Sequence, residues 1–263
     1  PENPWRESHW AGASSSGSGA ATAAGLAYGT LGSDTGGSIR HPAAVCGTVG
    51  LKPTWGRVSR HGVMDLAESL DHVGPLTRSA ADAGIILQAI SGLDPHDPTT
   101  LTQAVPDMLA GIGEGVEGLK IGWDHEYATA DMEPSFARAV EDGVKVMEGL
   151  GAEMVTVKMP EILREAMTAW PVICSSEAAL AHSATYPSRA DDYGPFFRQW
   201  LEMGSAHTAT EYAGAHALRL TLNGGLRNTM RGIDVLAGPS SPMASFPVTP
   251  EALYGPIPAD RDP

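Results

Sequence analysis

Phe136, Val140, Val144 and Met147 recur at helical spacing among charged residues, and Pro134 suits a first helical turn. The pattern predicts an amphipathic helix over 133–150. Two short apolar runs flank it, LKIGW at 119–123 and MVTV at 154–157. Both read as strands, and strand–helix–strand order predicts a parallel pair joined by a right-handed crossover. A second helix is predicted over 79–92, SAADAGIILQAISG. Ser79 is its candidate N-cap, with Asp82 three residues on as in a capping box. Ile86 and Ile90 share a face with Leu87 beside them, and Gly92 closes the segment. Helical patterns return over 162–182 and 210–230. DPHDPTT at 94–100 reads as a loop, as does the Pro-rich stretch from Gly238 on. There is no internal repeat.

Residues 11–38 depart from this alternation, because Gly, Ala, Ser and Thr dominate them. Such composition suits a linker. Against that, 20–24 can form a short helix with a small-residue face ended by Gly25, and 26–31 read as a short buried strand. Small residues let backbones approach closely, so the stretch is read as a tight core segment. The strand–helix–strand order at 119–157 agrees with a layered α/β protein.

At 263 residues the chain makes one large domain or two small ones, long enough to bury a sizeable core. Its 42% apolar and 18% charged residues are ordinary for a globular protein and argue against disorder. Lys and Arg number 17 against 31 Asp and Glu, a net charge of −14, which speaks against nucleic acid or an anionic membrane as the main partner. No apolar run is long enough to span a bilayer, and the first residues have neither the basic head nor the apolar stretch of a signal peptide. Two cysteines, Cys46 and Cys174, are too few for a secreted disulfide scaffold. A cytoplasmic location is the expectation. Cys46, in AAVCGTVG, reads as a buried inert thiol. No His-x-x-His or Cys-x-x-Cys spacing suggests a metal, and no cofactor is expected.

Candidate chemistry lies in two Ser- and Gly-rich turns, AGASSSGSG at 11–19 and GSDTGGSIR at 32–40. Ser38 follows Gly36 and Gly37. Glycines let backbone N–H groups converge on one point, where they can hold an oxyanion while a serine attacks a carbonyl. A Ser–His–Asp arrangement drawing on His41, His61 or His72 stays open, since triads are recognised by geometry. Lys52 reads as a solvated lysine or a cap on a carbonyl, and Glu177 as a solvated helix carboxylate. Trp5, Trp10 and Trp55 either wall a pocket or pack in the core.

Taken together, GASSSGSGAATAAG and LGSDTGGSIRHPAAVCGTVGLKPTWGRVS resemble the amidase signature family. The correspondence is gap-free from Gly12 to Ser59, continues through SLDHVGPLTRSAADAGIILQAISG at 69–92, and persists more weakly to about Pro242. The resemblance implies the amidase signature fold, α/β with a mixed central sheet layered between helices, and hydrolysis of a carboxylic amide to an acid and ammonia or an amine. In that family a Ser–Ser–Lys triad does the work. Ser38 takes the place of the nucleophile that forms the acyl-enzyme. Ser14 takes the place of the bridging serine, whose peptide bond is cis in the family and whose hydroxyl relays the proton. Thr35, Gly36 and Gly37, with Ser38, match the oxyanion-hole backbone, and Asp34 and Arg40 the polar pair supporting it. Neither a metal nor a cofactor is implied.

Three departures stand out. No lysine precedes Ser14, the first being Lys52, and Ala13 and Ser16 stand where the family favours glycine. The expectation is a fragment of a longer amidase-type domain, lacking the N-terminal lysine segment and the C-terminal end. Its signature region would be 1–97 and its remainder 98–263, and on its own it would turn over little amide. An alternative within the family is the glutaminase subunit of a tRNA-dependent amidotransferase. An alternative of another class is a non-catalytic binding or scaffold remnant. The expected partner is a small amide, without direct contact to nucleic acid or membrane; a homodimer or partner subunits stay open.

Overall fold

The computed structural model describes residues 1–249; the last part of the Pro-rich stretch, 250–263, lies outside the described residues. The chain divides into two compact units. The first holds Pro1–Ala110, Cys174–Ala206 and 245–249, and the second holds Gly111–Ile173 and His207–Ala244.

The elements of the first unit begin with β1 (Glu2–Asn3), β2 (Arg6–Trp10), α1 (Ser16–Ala23), β3 (Gly29–Asp34) and α2 (Arg40–Cys46). They continue with β4 (Val49–Gly50), β5 (His72–Thr77) and α3 (Ala80–Ile90). Strands β3, β5 and β4 form an antiparallel sheet in that order. Pairing of β3 with β5 runs from Gly29 opposite Thr77 to Asp34 opposite His72. The turn that leaves β3 therefore starts beside the chain entering β5. Ile39, Ala43 and Leu76 form the core here. Burying Ile39 and Leu76 completely is worth roughly 1.5–3 kcal/mol apiece.

Small residues allow the close packing in this unit. A Cβ on Gly29 would lie 2.5 Å from Ile86 Cδ1, one on Gly32 2.6 Å from Ser15 Oγ, and one on Gly19 3.0 Å from Pro42 Cβ. Thr30 Oγ1 meets Thr22 Oγ1 at 2.9 Å and donates to the Ser18 carbonyl at 3.0 Å, tying β3 to α1. Helix α1 begins at Ser16, earlier than the small-residue pattern predicts, and Gly25 follows it at φ +73°. The strand expected at 26–31 lies instead at 29–34, and it is not apolar burial that fixes it. Leu26 and Tyr28 are exposed, as is Leu31. The inner surface of β3 is built from Thr30 and Gly32, and its register is set by β5. Helix α3 is capped as predicted: Ser79 Oγ accepts from Asp82 N–H at 3.1 Å and donates to its carboxylate at 2.7 Å. Its buried face is Ala83, Gly84 and Leu87, with Ile86 and Ile90 only half-buried.

The second unit opens with β6 (Lys120–Trp123), α4 (His125–Thr129), α5 (Pro134–Gly149) and β7 (Glu153–Thr156). The expected parallel pair is present, β6 with β7. Helix α5 starts at Pro134, and its predicted stripe of Phe136, Val140, Val144 and Met147 is half-buried. The helical pattern at 162–182 divides into α6 (Leu163–Met167) and α7 (Ala169–Ala181), with Pro171 in the first turn of α7, where its missing N–H costs no helical bond. Most of α7 and all of α8 (Pro195–Ala206) belong to the first unit, and in the second α9 (Ala209–Thr229) carries a capping box from Thr208 and Glu211. Strand β8 (Val235–Ala237) then adds parallel to β6. Antiparallel pairing in one unit and parallel pairing in the other, both with helices, make the chain mixed α/β. Among the described residues no helix is long and apolar enough to cross a membrane.

Helices α7 and α8 meet at Gly204, where a Cβ would collide with the Ser175 carbonyl and lie 2.9 Å from the Ser176 nitrogen. Both are backbone atoms and cannot swing aside. Gly204→Ala is therefore expected to destabilise the fold by about 1–3 kcal/mol, read in urea unfolding. A loss below about 0.5 kcal/mol would show that the crossing is not as tight as described.

Candidate active site

Asp34, the last residue of β3, is fully buried and organises the turn that follows. Its Oδ1 accepts from Gly37 N–H at 2.8 Å and its Oδ2 from Ile39 N–H at 3.1 Å and Arg40 N–H at 3.3 Å. The Arg40 guanidinium closes on the same carboxylate through Nε at 2.9 Å and Nη2 at 2.7 Å. Three amides of one turn thus converge on one side chain, which curls the backbone around it. Burial by itself would raise the Asp34 pKa. The Arg40 hydrogen bond and charge, with the amides of Ile39 and Arg40, outweigh burial and hold it below its ordinary value.

Ser38 sits half-buried on this turn, just before α2. Gly37 has φ +135°, a conformation closed to side chains, and a Cβ there would also meet the His41 ring at 2.8 Å. The second serine turn is joined to it directly. Ser15 N–H donates to the Ser38 carbonyl at 3.1 Å, and Ser15 Oγ to the Ser33 carbonyl at 3.2 Å. The preceding Ala13–Ser14 peptide bond is cis, and Ser14 is exposed. Two turns distant in sequence are therefore in backbone contact through Ser15 and Ser38, 23 residues apart.

The geometry changes one expectation. The Gly37 N–H is committed to Asp34, so Gly37 shapes the turn and does not offer its amide to a ligand in this conformation. Of the other residues matched to an oxyanion hole, Thr35 donates its hydroxyl to Asp71 Oδ1, while Gly36 is exposed and Ser38 half-buried.

Asp71 enters here without having been foreseen, and Glu177 in a different role from the one expected. Asp71 is buried, and besides Thr35 it accepts from Leu66 N–H at 2.8 Å and Ala67 N–H at 3.0 Å. Glu177 is a correction: it is buried, not solvated, and takes the Ser69 N–H at 2.8 Å and the Ser69 hydroxyl at 2.7 Å. Its partner lies 108 residues away, so no local pattern could have revealed it.

The remaining candidates have ordinary roles. Lys52 Nζ caps the Pro53 carbonyl at 2.9 Å. Burial, then the Arg40 charge, lowers its pKa, against an opposing effect of Asp34. His72 Nδ1 faces the Leu70 carbonyl at 2.6 Å, and burial followed by the Lys52 charge lowers its pKa. His61 stacks on His96 at 5.1 Å. The Trp10 ring is buried and stacks on Phe246 at 5.0 Å, Trp5 is exposed with Nε1 on the Cys46 carbonyl, and Trp55 lies under Arg60. Cys46 and Cys174 are free thiols; burial pushes Cys46 up to about 11 and, chiefly, Cys174 up to about 12. Burial of this kind disfavours the thiolate, the form of cysteine that reacts.

Comparison with known proteins places this arrangement among relatives. The Amidase family profile matches residues 1–254. The Mycobacterium tuberculosis protein AmiD, named as a putative amidase, is 44% identical over 246 residues, covering 93% of this chain and 51% of that protein. A glutamyl-tRNA(Gln) amidotransferase subunit from a Geobacter species is 38% identical over 280 residues, covering 97% of this chain and 57% of its own length. Among solved structures, the native peptide amidase of Stenotrophomonas maltophilia superposes with a TM-score of 0.77 at 28% identity, covering 94% of this chain and 56% of the other. The chain spans about half the length of the curated relatives it matches.

Proposed function

The chain belongs to the amidase family, and from that premise we propose that the protein it represents hydrolyses a carboxylic amide through an acyl-enzyme on Ser38. The observation that carries this reading is the contact between the two serine turns, Ser15 N–H to the Ser38 carbonyl at 3.1 Å. It supports a relay in which Ser14 takes the proton from the Ser38 hydroxyl as that oxygen attacks the amide carbon. A hydroxyl both donates and accepts, so it can pass the proton on and later return one to the leaving amine. Water then cleaves the ester and restores Ser38. The base at the end of the relay is a lysine in the family pattern, and no lysine precedes Ser14 in this sequence. For that reason chain 1–263 alone is expected to turn over little amide.

With Gly37 held by Asp34, we assign the oxyanion to the amides of Gly36 and Ser38. Asp34 and Arg40 support them from behind. No cofactor enters the scheme, and the substrate is a small amide. Likeness to the amidotransferase protein favours a second reading, in which the amide is glutamine and the ammonia passes to a partner.

A serine-reactive fluorophosphonate tests the first reading on the full-length gene product. The expected result is one labelled peptide carrying the probe on Ser38. A label elsewhere, or none on folded protein, overturns it. Ammonia release from glutamine only in the presence of partner subunits and charged tRNA would select the second reading, whereas release from simple aryl or aliphatic amides without partners selects a stand-alone amidase.

A further inference from the structure

We propose that Asp71 is a positioning residue for this reaction, acting through the Thr35 hydroxyl on the Ser38 turn. The inference rests on the Ser38 reading and adds a second carboxylate to it. Asp34 grips the turn at Gly37, Ile39 and Arg40. The Thr35–Gly36 peptide, at the start of the same turn, carries one of the assigned oxyanion amides. Thr35 Oγ1 donates to Asp71 Oδ1 and anchors that half of the turn.

Asp71 is itself rigidly set. Its Oδ2 holds the amides of Leu66 and Ala67, which curls 66–71 around it. Ser69, on the same curl, is fixed by two hydrogen bonds to Glu177 of α7. The curl leads straight into β5, whose first residue pairs with Asp34. One end of the turn is therefore held by its own strand and the other by the strand's neighbour. An oxyanion donor is useful only if it is aimed before the charge develops, so a hydroxyl that fixes the peptide plane affects rate more than binding.

The test measures fluorophosphonate labelling of Ser38 in the full-length gene product as a function of probe concentration. Thr35→Val keeps the shape and removes the hydroxyl. It is expected to lower the maximal labelling rate by about tenfold, a fraction of the roughly hundredfold that loss of a whole oxyanion donor brings. The half-saturating probe concentration should move by less than about threefold, since ground-state binding is not what the hydroxyl serves. Thr35→Ser restores the hydroxyl and should recover most of the rate. Adding Asp71→Asn to Thr35→Val should slow labelling no further, because Asp71 then has no hydroxyl to act through. A parent-like rate in Thr35→Val with Ser38 still labelled overturns the proposal and leaves the Ser38 reading intact. So does Thr35→Ser as slow as Thr35→Val, or a further slowing by Asp71→Asn. Absence of label on Ser38 in the parent overturns both.

Discussion

Ser38→Ala in the full-length gene product is expected to cut kcat for amide hydrolysis by on the order of 10⁴-fold or more, the scale seen when a serine nucleophile is removed from a working triad. That corresponds to about 5 kcal/mol of transition-state stabilisation. A residual rate would come from the amides and from binding, which the substitution leaves in place. The fold should survive. What ties Ser38 into the structure is its backbone: its carbonyl receives the Ser15 N–H, and its neighbours' amides reach Asp34. None of these contacts uses the hydroxyl, so the melting temperature should change by no more than a few degrees, the range of a substitution away from core and network. A folded Ser38→Ala protein whose kcat stays within about tenfold of the parent would show that another group carries the chemistry. A histidine would then be the first candidate, and His41 the first histidine to replace, since its ring lies against Gly37 of the same turn.

Much of this site was legible because its residues are close in sequence. Asp34, Ser38 and Arg40 fall within seven positions, and glycines between them signal a turn that draws amides together. Helices with a strong local signal were legible too, α5 from its stripe and α3 from its Ser79 cap. The structure's surprises come from contacts made at a distance. Strand β3 lies three residues further on than expected because β5, whose paired residues are 38 to 48 positions away, sets its register, and Thr and Gly rather than Leu supply its inner face. Helix α2 is absent from the sequence-based expectations; its Pro42 sits in the first turn, where proline is tolerated. Asp71 gave no local sign and Glu177 read as solvated, because the donors that matter to them include a threonine 36 residues away and a serine 108 residues away. The reassignment of Gly37 has a similar origin: a glycine pair marks a turn in sequence, but only the carboxylate of Asp34 decides which amide points inward.

Asp34→Ala should be the most damaging single change to the stability of this turn. The magnitude follows from which of its hydrogen bonds lie out of reach of water. The Arg40 side chain is 45% exposed, so the ion pair is screened and its loss counts for little. The amides of Gly37 and Ile39 belong to buried residues. Left without an acceptor, each costs about 1–3 kcal/mol, which sums to a destabilisation of about 2–6 kcal/mol. The pH dependence carries an independent signature. Asp34 has a folded pKa below its ordinary value of 3.8, so its contribution is complete above that value and drains away as pH falls through the lowered one. In urea titrations the parent should therefore lead Asp34→Ala by a constant margin from neutral pH down to about 4, and by a shrinking margin below it. A margin under about 1 kcal/mol at pH 7, or one that does not shrink in acid, would mean that the turn is held by something other than this carboxylate. The same variant links stability to chemistry. Held at a temperature where it remains folded, it should label at Ser38 far more slowly than the parent, since the amides that Asp34 gathers are what keep the Ser38 turn closed.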